Sequence, residues 1–111
     1  MDTTTIRVLV VEPGKRPIVK EIETGLEPLQ KAVGGLIEAV YPFEEPVAIV
    51  CNEEGKLLDL DYNFTIRHED LVGPVIFVGI RGEDFTDWPG GMRSLRALFG
   101  SSIERKEEAG A

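Results

Sequence analysis

Thr5-Ile6-Arg7-Val8-Leu9-Val10-Val11, then Glu12-Pro13-Gly14-Lys15, then Ile18-Val19-Lys20-Glu21-Ile22-Glu23, decide the fold class of this chain. The first run is rich in β-branched residues and, Arg7 apart, apolar on both faces, the pattern of a central strand covered from two sides. Pro13 and Gly14 occupy the middle of a turn, where proline fixes its own φ and glycine accepts the positive φ of a type II geometry. Ile18, Lys20 and Ile22 then alternate with Val19, Glu21 and Glu23, so the chain returns as a second strand. Pro17 suits the start of that strand or an edge position.

Working outward, Leu26, Leu29, Ala32 and Val33 have the spacing of a short amphipathic helix. Thr24 and Glu27 match a capping box, Pro28 is tolerated only in the first turn, and Gly34-Gly35 end the helix. Leu36 to Tyr41 predicts a third strand stopped by Pro42. Val47–Cys51 and Lys56–Leu60 flank Asn52-Glu53-Glu54-Gly55 and predict a hairpin, with Gly55 at the position needing positive φ. Asp61 to Asp70 reads as polar and irregular, and Val75 to Ile80 as a last buried strand. Asp87 to Gly91 reads as a loop, and Met92 to Phe99 as a short helix capped by Gly100.

These elements predict an α+β fold: a small, mostly antiparallel sheet of about five or six strands, one helix on a face and a short C-terminal helix. Residues 1–100 are expected to form a single domain, and residues 101–111 a frayed, charged tail without core residues.

Composition narrows the function. A chain of 111 residues is one domain, and 42% hydrophobic residues suffice for a core without disulfides or metal. A formal net charge of -8 disfavours a broad basic face for nucleic acid and repels anionic membranes, so neither is an expected partner. Cys51 stands alone, which rules out an intrachain disulfide and a thiolate zinc cage. Residues 1–5 lack the basic and apolar regions of a signal peptide. The run Leu71 to Ile80, broken by Gly73-Pro74, is too short to span a bilayer. A cytoplasmic protein is expected.

His68 is the sole histidine, and Ser94, Ser101 and Ser102 lack a nucleophile-elbow context. Cys51, inside an apolar strand, reads as a core thiol. Asp59 and Asp61 would share a strand face and, with His68, Glu69 or Asp70, could hold a hard cation. Such pairs recur by chance in acidic chains, so no metal or cofactor is expected. Glu44-Glu45 and Glu53-Glu54 read as solvated turn pairs. Two places could hold an anion: Lys15 and Arg16 after the first turn, and Arg93 and Arg96 on the helix after Gly90-Gly91. Neither matches a P-loop or dinucleotide fingerprint. Asn63, with Asn52 and Tyr62, could hydrogen-bond a ligand, although turns use the same residue types. The candidate ligand-binding set is therefore Lys15, Arg16, Arg93, Arg96 and Asn63. Trp88, with Phe85 and Pro89, reads as a lid on the core, or else as an anchor for a partner.

Arg7-Val8-Leu9-Val10-Val11-Glu12-Pro13-Gly14-Lys15, Val19-Lys20-Glu21-Ile22, Leu29-Gln30, Val33-Gly34-Gly35, Ile37-Glu38-Ala39-Val40-Tyr41-Pro42 and Val47-Ala48-Ile49-Val50-Cys51-Asn52-Glu53-Glu54-Gly55-Lys56 together resemble the domain-of-unknown-function family 3846. The resemblance implies an accessory protein of bacteria, bacteriophages or mobile elements, and it supplies no activity and no catalytic residues.

Residues and resemblance together lead to the expectation of a non-enzymatic binding protein of a phage or mobile element. It would act in the bacterial cytoplasm in counter-defence, by sequestering a small anionic, nucleotide-like signal or by occupying a host protein. One alternative is a DNA mimic whose carboxylates imitate phosphates, although 12 Lys and Arg interrupt its acidic surface. Another is a metal-assisted enzyme built on Asp59 and Asp61. Short strands in a small domain leave open sheet edges, so a homodimer is also expected.

Overall fold

The fold is given by a computed structural model, which describes residues 4–42, 44–66, 68–89 and 103–104. The order of elements is β1 (Thr5–Val11), β2 (Ile18–Glu23), α1 (Leu26–Val33), β3 (Ile37–Val40), β4 (Val47–Asn52), β5 (Tyr62–Ile66), β6 (Glu69–Val72), β7 (Val75–Arg81), β8 (Asp84–Thr86) and β9 (Ile103–Glu104). Six strands form the main sheet in the order β2-β1-β7-β4-β3, with β8 also on β7, and a smaller sheet runs β6-β5-β9. Every described pairing is antiparallel.

The opening hairpin forms as its sequence dictates. Gly14 takes φ 72° and the Lys15 amide donates to Glu12 O at 3.1 Å. Helix α1 ends at Gly34 in the left-handed region, with the Gly34 and Gly35 amides both donating to Gln30 O. Its start departs from expectation. The N-cap is Gly25, with no side-chain cap, and Thr24 Oγ1 turns back to Thr4 O at 3.3 Å. Thr24 lies one residue too early to cap, so it belongs to the end of the β1–β2 ladder.

The main sheet is covered on both faces, which explains why β4 is buried at every residue. Val8, Ala48, Val50, Ile76 and Val78 pack with Leu29 and Val33 of α1. On the other face Leu9, Val11, Val47, Ile49, Val75 and Phe77 pack with Phe64, Ile66 and Leu71 of the small sheet. The period of two along each strand assigns these sets.

The second sheet corrects the reading of the chain from 56 to 70. Lys56–Leu60 is no strand: Leu58 N donates to Glu54 O, Leu60 N to Gly55 O, and Asp59 sits at φ 57°. The backbone is satisfied within the turn, which leaves the leucines outside. Gly55 is needed for space and not for φ, because a Cβ there would meet Val72 Cγ2 at 2.8 Å. Residues 61–70, predicted irregular, contain β5 and the start of β6. Exposed His68, at φ 68°, lies in the turn between them.

On the N-terminal side of Leu9, β1 parts from β7 and the chain after β8 fills the gap. Arg7 N donates to Asp87 Oδ1 and Trp88 N to Arg7 O, each at 2.7 Å. This drives Trp88 into the core against Phe77, with ring centroids 5.7 Å apart, so the tryptophan is a lid on the core. The segment Met92–Phe99, with its predicted helix, lies outside the described residues. Within the predicted tail, Ile103 and Glu104 pair with Ile66 and Thr65.

Candidate functional site

Of the candidate ligand residues, Lys15, Arg16 and Asn63 are described. Lys15 and Arg16 lie exposed at the first turn. There the Lys15 amide is bonded to Glu12 O, and the Lys15 ammonium is 3.8 Å from the Glu12 carboxylate. Arg93 and Arg96 lie outside the described residues. Asn63 is buried, and its Nδ2 donates to Val11 O at 2.8 Å and Gly73 O at 2.9 Å. It therefore ties the small sheet to the end of β1 and to the β6–β7 turn. Replacing Asn63 by Leu is expected to cost about 2 kcal/mol or more, because two buried carbonyls lose a donor. Urea unfolding measures this.

Asn52 does similar work, donating to Val33 O at 3.1 Å and accepting from the Glu54 amide at 2.8 Å. Thr65 Oγ1 donates to Asp70 Oδ1 at 2.6 Å, so the Tyr62 hydroxyl, 2.6 Å from Thr65 Oγ1, must donate to it. These polar residues serve the fold. Asp59 and Asp61 sit in and after the turn and share no strand face. Among the described residues no group of three metal-ligating side chains gathers.

Cys51 is buried in β4 with Sγ 3.7 Å from Glu38 O. Burial, and then the charges of Glu38 and Glu69, push its pKa up from 9.0 to about 11, against a smaller opposing pull from Lys56. At neutral pH it is a protonated thiol, the reverse of an activated nucleophile. The folded state holds this proton more tightly than the unfolded chain does. Its contribution to stability is therefore complete below pH 9.0 and lost as pH rises towards about 11. The urea midpoint should fall across that window in the wild type and fall less in Cys51→Ala.

What the topology assembles is a cleft of about 360 Å³ between the β3–β4 end of the main sheet and β6. Its walls bring together Glu38, Glu53, Glu54, Glu69 and Asp70, with Lys56 and Leu57 at the turn. Lys56 Nζ lies 2.7 Å from Glu69 Oε2, and that hydrogen bond raises the lysine pKa. Both side chains are largely exposed, so the pair adds little stability. Leu57 is 84% exposed and Leu58 55%. Sequence reasoning missed this site because its acids come from three separate elements and its leucines read as strand. The one available signal was Tyr62-Asn63-Phe64-Thr65-Ile66, five residues with strand-forming side chains at alternate positions.

Two other depressions are less distinctive. The groove between β2 and α1 mixes Lys20 and Lys31 with Glu23 and Glu27 and favours neither sign. A smaller one, about 470 Å³, is floored by Ile6, Leu29, Ile37 and Phe85. No described helix is long and apolar enough to cross a membrane.

Fold and cleft together define a small α+β protein with an antiparallel sheet covered on both faces and an acidic cleft at one end. The chain belongs to the family described as domain of unknown function DUF3846, whose model matches residues 6–100. The match spans β1 through β8 and extends well beyond the first-half segments that carry the resemblance. Searches of curated proteins and of solved structures gave no match.

Proposed function

We propose that the protein is a non-enzymatic binding protein that engages another protein through the acidic cleft and the leucines beside it. The observation that carries this reading is the exposure of Leu57 (84%), on the cleft wall with Glu53, Glu54 and Glu69, and of its chain neighbour Leu58 (55%). Adjacent large apolar side chains left in water, rimmed by charge, suit a contact surface, and the carboxylates would steer a basic partner towards it. In the bacterial and phage setting implied by the resemblance, occupying a host defence protein with a basic, partly apolar face is the matching role.

Sequestering a small anion draws less support. At the first turn the Glu12 carboxylate competes for Lys15, and the Lys15 amide already has its acceptor. DNA mimicry is disfavoured by exposed Leu57 among the cleft carboxylates, because a phosphate ladder offers no apolar group.

Leu57→Lys tests the reading. It should leave thermal stability within about 0.5 kcal/mol, since the side chain is in water. Recovery of the partner that co-purifies from bacterial cells should fall at least about tenfold. Lys15→Ala with Arg16→Ala should leave recovery intact. If the lysine–arginine variant loses the partner, or loses calorimetric binding of cyclic nucleotides, while Leu57→Lys does not, anion sequestration replaces this proposal.

A further inference from the structure

We infer that the protein forms a two-fold dimer by antiparallel pairing of β3 with β3 of a second copy, centred on Ala39. Among the described residues β3 is a terminal strand of the main sheet and pairs only with β4. Its phase follows from one bond. Glu53 N donates to Leu36 O at 2.8 Å, continuing the ladder in which Ile37 faces Asn52. Inward and outward groups alternate along an antiparallel edge, so Leu36, Glu38 and Val40 turn their amides and carbonyls to β4. Ile37, Ala39 and, one residue past the strand, Tyr41 turn theirs outward.

A two-fold axis normal to the sheet keeps each residue on its own face, so a residue can oppose only one an even number of positions away. Centring on Ala39 sets Ala39 against Ala39, and Ile37 against Tyr41 in both directions. Every outward amide and carbonyl from Ile37 to Tyr41 then finds a partner. Tyr41, 62% exposed in the monomer, covers the other copy's Ile37 on the helix face. On the opposite face Glu38 meets Val40, away from its own symmetry mate. The neighbouring registers are worse: centring on Glu38 opposes two carboxylates, and centring on Val40 sets Glu38 against Pro42 and shortens the ladder.

The other end of the sheet is closed to self-pairing by the same rule. In β2 the Thr24 amide bonds Thr4 O, which leaves Val19, Glu21 and Glu23 with outward groups. Its central registers place Lys20 against Lys20 or Glu21 against Glu21, the charged guard expected of an edge that stays single. β6 opens with Glu69-Asp70. Of β2, β3 and β6, β3 is the strand whose outward residues are all uncharged.

Sedimentation of the full chain at high micromolar concentration should give twice the protomer mass. Amide exchange followed by NMR should slow at Ile37, Ala39 and Tyr41 on going from dilute to concentrated protein. Ala39→Pro removes only an outward N–H, which an edge strand tolerates. It should weaken association at least about 30-fold, matching the two donors lost across the axis. Tyr41→Lys, at a position that is 62% exposed, should also yield monomer. A monomeric wild type, or a dimer in which the three amides exchange as on an open edge, overturns the inference.

Discussion

Trp88→Ala is expected to cost about 3–5 kcal/mol, the range for removing a large aromatic side chain from a packed core. The ring is completely buried and packs edge-on against Phe77, which itself stacks on Phe64 at 5.9 Å. Three aromatic rings from the β8 exit, the main sheet and the small sheet thus meet in one cluster. Removing the indole leaves a cavity at the junction, and the surrounding strands are held by ladders that let them collapse only partly. For a domain of this size the melting temperature should drop by roughly 15 °C or more. Circular dichroism would measure it, and a drop of only a few degrees would show that Trp88 is not a lid on the core.

Gly79→Ala is expected to be comparably harmful for a different reason. A Cβ at Gly79 would overlap the backbone oxygen of Asp87. That oxygen lies in the segment stitched to Arg7 by the Asp87 carboxylate and the Trp88 amide. One methyl group must therefore either displace β7 or pull the Asp87–Trp88 segment out of the gap between β1 and β7. The cost should reach about 3 kcal/mol or more, the upper range for overpacking. If the segment detaches, indole fluorescence should shift to the red before global unfolding. Normal stability with unshifted fluorescence would contradict the close approach.

The two effects show why part of the fold was legible. The hairpin at Pro13-Gly14, the apolar spacing of α1 with its stop at Gly34, and the apolar runs of β4 and β7 carry local signals that tertiary contacts reinforce. Trp88 was readable as a lid because a loop tryptophan flanked by Phe85 and Pro89 has few other uses. The stretch from Lys56 to Asp70 was misread because its decisive interactions are not local. Leu57 and Leu58 resemble strand residues until Gly55 is seen pressed against Val72, and Asn63 resembles a ligand group until its amide is found between Val11 O and Gly73 O. The cleft was invisible for the same reason. Glu38 and Glu69 are far apart in the chain and share a wall only because β6 folds across the β3–β4 end.

The central claim is that the protein works through this cleft and its leucines, and not through the cations of the first turn. The most direct measurement is a backbone amide correlation spectrum of ¹⁵N-labelled protein in unlabelled bacterial lysate. Selective broadening is expected at Glu53, Glu54, Leu57, Leu58 and Glu69, with Lys15 and Arg16 unchanged. Perturbation confined to Lys15 and Arg16, with the cleft residues sharp and unshifted, would contradict it.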